Sequence, residues 1–134
     1  MNEVIEFLKE NSLQYFSTVG LDNRPKVRPF QFMLEDGGKL YFCTNNEKDV
    51  FKEMQNNPYV EVCVASPKFK WIRLSGKAKF SNDMDIKKKI IETSPLVKSL
   101  YKSADNPIFE IFYLEDAKAV IADFSGNPPK EFNL

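Results

Sequence analysis

The chain has 134 residues, the usual span of one domain. Lysine plus arginine (19) balance aspartate plus glutamate (19), so no net field steers the protein to nucleic acid or to an anionic membrane surface. Histidine is absent, which removes the commonest general base, the commonest metal ligand and the usual haem ligand.

Val4, Ile5 and Leu8 share a helical face and predict a short amphipathic helix over residues 2–12. Gln14 to Val19 reads as strand, Gly20-Leu21-Asp22-Asn23 as a turn, and Lys26 to Leu34 as a second strand. A turn at Glu35-Asp36-Gly37-Gly38 leads to a strand from Lys39 to Thr44. Val50, Phe51 and Met54 then recur at helical spacing within 47–56, and Pro58 stops that helix. Tyr59 to Ala65 and Trp71 to Phe80 alternate as strands, the second with Ile72, Leu74, Gly76, Ala78 and Phe80 on one face. Asn82-Asp83 suits a cap for a helix through Ile86, Ile90 and Ile91, and Pro95 suits the start of another. Ile108 to Leu114 and Ala117 to Phe124 read as two strands around Glu115-Asp116, and Ser125 to Leu134 as an irregular tail.

Short strands joined by hairpin-length turns do not form βαβ units. They predict a mainly β (α+β) fold: an antiparallel barrel of six to seven strands with helices packed outside, as one domain over 1–134. Twelve phenylalanines suit such a core, or the walls of a pocket. Cys43 and Cys63 lie in separate strands without C-x-x-C spacing and read as plain thiols. The opening MNEVIEFLKENS has no apolar signal-peptide core, and no run is long enough to span a bilayer. A cytoplasmic location is expected.

Two segments carry candidate chemistry. Arg28 sits in an extended run and is followed by Pro29, which cannot donate to a ladder, so an edge or a bulge is expected there. Arg28 reads either as a solvated surface arginine or as a planar fork held for a phosphate. In the second segment, Thr44-Asn45-Asn46 lead a strand into a helix, with Asn46 and Asp49 at capping-box spacing. A helix start attracts anions through its free N–H groups and dipole. Lys48 there is either simply exposed or one of several donors, with the Thr44 hydroxyl, that converge on a phosphate.

The order R-P-x-x-R-P-F-x-F, L-Y-F-C-T-x-N-x-K, N-N-P-Y-V-E-V and W-I-R-L-S-G-K-A resembles the FMN-binding split-barrel family related to pyridoxamine 5′-phosphate oxidase, over roughly Leu13 to Phe124. The resemblance implies bound FMN. Its phosphate would be gripped by Arg28, Thr44 and Lys48, and its ring would lie beside Pro29, Phe30 and Gln31, with Phe42, Cys43 and Asn45 as neighbours. It also implies a homodimer in which Trp71 reaches a flavin across the interface. The chain ends in Phe124-Ser125-Gly126-Asn127-Pro128-Pro129 and lacks the tryptophan-, arginine- and histidine-rich signature of true pyridoxamine phosphate oxidases. Vitamin B6 oxidation is therefore not expected, and histidine-dependent haem-degrading relatives are disfavoured. The implied activity is an oxidoreductase passing electrons or hydride from a reduced nicotinamide to a small acceptor. The alternatives are a non-catalytic flavin-binding or electron-carrier module, a deazaflavin-binding or nitroimidazole-reductase-like relative, and a degenerate dimer, which Arg28, Thr44 and Lys48 argue against.

Overall fold

In the computed structural model, which describes residues 1–134, every strand pairing is antiparallel. The elements are α1 (Asn2–Glu10), β1 (Gln14–Val19), β2 (Pro25–Phe30), β3 (Leu34–Asp36), β4 (Lys39–Asn45), α2 (Asp49–Asn56) and β5 (Tyr59–Ala65). β6 (Trp71–Ser81), α3 (Met84–Thr93), α4 (Pro95–Tyr101), β7 (Phe109–Ala122) and β8 (Lys130–Asn133) follow. The sheet order is β2-β1-β5-β6-β7-β4-β3, with β8 added to β7. Phe16 on β1 nevertheless meets Phe42 on β4 and Phe112 on β7, both at 5.7 Å between ring centroids. Strands far apart in that order touch only because the sheet curls into a barrel. β2 and β3 border its seam, and the chain crosses there through Gln31–Met33. The fold is a mainly β split barrel with flanking helices.

Local chemistry accounts for most boundaries. Gly37 and Gly38 both take positive φ, which lets Asp36 pair with Lys39 across a two-residue hairpin turn. The Asp83 carboxylate accepts hydrogen bonds from the N–H groups of Asp85 and Ile86, the cap expected for α3, and α4 starts at Pro95 as expected, with the Ser94 hydroxyl accepting from Val97 as its cap. Val60, Val62, Val64, Ile72 and Leu74 face inward with Val50 and Met54 of α2 and Val4 and Leu8 of α1. A second cluster lies outside the barrel, where Ile86, Ile90 and Ile91 of α3 and Val97 and Tyr101 of α4 cover Tyr41, Phe109 and Ile111.

Four expectations are corrected. The predicted strand Lys26 to Leu34 is two strands, because Gln31–Met33 leave the ladder to carry Phe32 into the core. The Phe32 N–H lost to the ladder donates instead to Oε1 of the buried Gln14, at 2.8 Å. The two last predicted strands are one, β7. Asp116 does not end it but takes φ 53° and makes a bulge opposite Gly76, where β6–β7 pairing skips between Ser75 and Lys77. The tail is not wholly irregular, since β8 pairs with Lys118–Ile121. The strand total is therefore eight, not six or seven. Finally, the Asn46–Asp49 capping box does not form: Lys48 is the N-cap residue of α2, and no side chain caps that helix.

Candidate functional site

β2 pairs with β1 alone, so the edge position that Pro29 implies is what the fold contains. Along β2, Lys26, Arg28 and Phe30 are half-buried, while Pro25, Val27 and Pro29 are exposed. Phe30 stacks on Phe16 at 4.5 Å. Arg28 turns toward α2 and does not extend into solvent. Its Nη2 donates to Glu53 Oε1 at 2.6 Å, and its Nη1 donates to Thr18 Oγ1 at 2.8 Å and to the Phe16 carbonyl at 3.3 Å. The Thr18 hydroxyl donates to the same Glu53 oxygen at 2.6 Å, which closes a triangle of side chains from β1, β2 and α2. Glu53 and Thr18 are buried, whereas 23 % of the Arg28 side chain remains exposed.

The β4–α2 junction sorts its residues by face. Phe42 points into the barrel, fully buried and stacked with Phe112 at 5.7 Å. Cys43 packs beside the α3–α4 cluster, and Asn45 donates to the Tyr101 hydroxyl at 3.1 Å. Burial pushes the Cys43 thiol up to about 12, against the opposing pull of the Lys48 ammonium. Burial therefore favours the protonated thiol over the reactive thiolate at Cys43. Thr44 is buried, and its Oγ1 has no hydrogen-bond partner in the chain. A buried hydroxyl without a partner costs about 1–3 kcal/mol, and Thr44 Oγ1 is the one buried side-chain polar atom of the chain left in that state. Just beyond it, α2 begins at the exposed Lys48 with no side-chain cap, which leaves first-turn N–H groups open to an anion.

The fold thus gathers Thr44, Lys48 and the start of α2. Arg28 meets the same helix further on, at Glu53, five residues beyond Lys48 and about 7 Å along the helix axis. Pro29, Phe30 and Gln31 line an open depression of about 330 Å³ with Ser12, Leu13 and Leu96. Trp71 stands apart. It lies on β6, three strands from β2 in the sheet, and packs on Phe124 of the tail at 5.0 Å. Within one chain it does not meet the other candidates.

Glu53 and Thr18 are the site residues that the sequence reading misses, although both carry a signal. Glu53 shares the core-facing side of α2 with Val50 and Met54, where a carboxylate needs a partner. Thr18 continues the inward alternation of Gln14 and Phe16.

This curled antiparallel sheet, with an edge arginine and an uncapped helix start beside an orphan hydroxyl, defines a split-barrel protein. The family model of pyridoxamine 5′-phosphate oxidase matches residues 1–123, and the chain belongs to that family. A NimC/NimA family protein of Clostridium acetobutylicum is 36 % identical, with 100 % of this chain and 92 % of that one covered at a TM-score of 0.92. General stress protein 26 of Bacillus anthracis (20 % identity, 98 % and 97 % covered, TM-score 0.77) shares the fold. So does a pyridoxamine 5′-phosphate oxidase-related, FMN-binding protein of Nostoc punctiforme (18 %, 97 % and 87 %, TM-score 0.72). No curated protein matches the chain.

Proposed function

We propose that the chain binds FMN and works as an oxidoreductase, moving electrons or hydride from a reduced nicotinamide to a small acceptor. The carrying observation is the buried Thr44 hydroxyl without a partner, set beside the uncapped start of α2 and Lys48. These are the donors that a terminal phosphate dianion takes. The family and the FMN-binding description of the Nostoc relative are consistent with that ligand. FAD, whose pyrophosphate is substituted at both ends and has no terminal dianion, fits this corner less well. The flavin would supply the two-electron chemistry. The chain's part is to hold the phosphate and to keep the ring along Pro29, Phe30 and Gln31.

The functional unit in this reading is a homodimer. The outer face of β1, β5 and β6 carries Tyr15, Cys63, Arg73 and Trp71 in adjoining register positions. α3 and α4 pack instead against β4 and β7. A second copy on the open face would bury Trp71 and Arg73, side chains favoured at interface centres, and would place Trp71 near the partner's ring.

Reconstitution tests the reading directly. Purified protein is titrated with FMN, FAD, a deazaflavin and haem, and the loaded protein is then mixed with NADH or NADPH in a stopped-flow instrument. FMN binds at one per subunit, tighter than the others, and bleaches on mixing. A chain that takes up no FMN ends the proposal. A chain that binds FMN without bleaching is a carrier or binding module, not an oxidoreductase fed by nicotinamide.

A further inference from the structure

We infer that Glu53 and Thr18 are positioning residues that present one edge of Arg28 to the ligand phosphate, an inference resting on the phosphate corner proposed above. A guanidinium has five N–H donors. Three are used inside the chain: both on Nη1, to Thr18 Oγ1 and the Phe16 carbonyl, and one on Nη2, to Glu53 Oε1. The two left over are Nε–H and the second N–H of Nη2. They lie side by side and parallel, the arrangement that grips two oxygens of one phosphate. The contacts from Thr18 and Glu53 therefore take the end of the fork and leave its side.

The burial pattern agrees with this division of labour. Glu53 is only 6 % exposed and Thr18 2 %, so neither reaches solvent to meet a ligand itself, while the Arg28 side chain keeps 23 % of its surface open. Thr18 and Glu53 also bond one another at 2.6 Å, which fixes the position of the acceptor that the arginine meets. An arginine otherwise samples many rotamers and loses that freedom on gripping an anion. Here much of that loss is taken on folding. Glu53 is at the same time a negative charge near an anion site, so charge alone would make it unfavourable there. The positioning role requires that geometry outweigh this repulsion.

The test uses the ratio of riboflavin to FMN dissociation constants, because riboflavin has the ring and ribityl chain but no phosphate. A purely structural role for Glu53 moves both constants together. A positioning role moves only the FMN constant. Glu53→Ala should lower the ratio roughly tenfold, and Glu53→Gln, which keeps an acceptor oxygen, should hold it within about threefold of wild type or raise it. Arg28→Ala should lower it by tenfold to a hundredfold, and adding Glu53→Ala to that variant should lower it no further. Should Glu53→Ala fail to fold, Thr18→Val carries the same test with the loss of a single hydroxyl, and its ratio should fall several-fold. An unchanged ratio in Glu53→Ala or Thr18→Val, beside a lowered one in Arg28→Ala, overturns the positioning role alone. A ratio that Arg28→Ala leaves unchanged overturns the phosphate corner itself.

Discussion

Replacing Thr44 with valine should act with opposite sign on the ligand-free protein and on its flavin complex. In the ligand-free chain the Thr44 hydroxyl is buried with no partner. Valine has nearly the same shape and no polar atom, so the substitution removes an unsatisfied group and puts a methyl in its place. The penalty for such a group is about 1–3 kcal/mol, and some is recovered by imperfect contacts in any real core. A gain of about 1–2 kcal/mol is therefore expected, which for a chain of this size raises Tm by roughly 3–8 °C. In the proposed flavin complex the phosphate supplies the acceptor for this hydroxyl, and valine would forfeit that bond. Saturating ligand stabilises the native state in proportion to the logarithm of its concentration over Kd, so the variant should gain less from FMN than wild type does. Thermal unfolding by circular dichroism, run with and without FMN, reads both effects. A Thr44→Val protein that melts lower than wild type without ligand would refute the reasoning, because the hydroxyl would then have been satisfied in the free chain.

Arg28→Ala should cost stability as well as FMN affinity, since it leaves the Glu53 carboxylate buried with Thr18 as its one remaining partner. Breaking a buried pair costs ~3–5 kcal/mol, and the partial exposure of Arg28 brings this down to about 2–3 kcal/mol, measurable by urea unfolding. Gly76→Ala should destabilise by about 1–3 kcal/mol on the same assay, because a Cβ there would lie 3.0 Å from the Glu115 carbonyl and 3.1 Å from the Leu114 Cβ at the β7 bulge. Cys43, pushed up to about 12 by burial, should resist iodoacetamide at pH 8 in the native protein and react only after unfolding, as mass spectrometry of the labelled peptides would show.

The sequence alone determined what short-range physics controls. The inward valines of β5 repeat every second residue, and Val50 and Met54 stand one turn apart. The caps Asp83 and Ser94 sit within three residues of the groups they satisfy, and Gly37-Gly38 supply their own positive φ. Pro29 announced the edge strand, because a missing N–H is a property of the residue itself. Only the tertiary structure decided the pairings that depend on distant chain. Asp116 reads as a turn residue, yet β6, β4 and β8 along its flanks hold β7 together through it as a bulge. The tail becomes a strand because β7 has an open edge over Lys118–Ile121 beyond the end of β4, and nothing within Lys130–Asn133 encodes that vacancy. Trp71 finds Phe124, fifty-three residues later, on the same terms. The partner of Arg28 is the clearest case. Glu53 is 25 residues away, and a charge selects its counter-ion by where the folded strands and α2 bring the two together, a choice made by the closure of the barrel and not by any local preference of either residue.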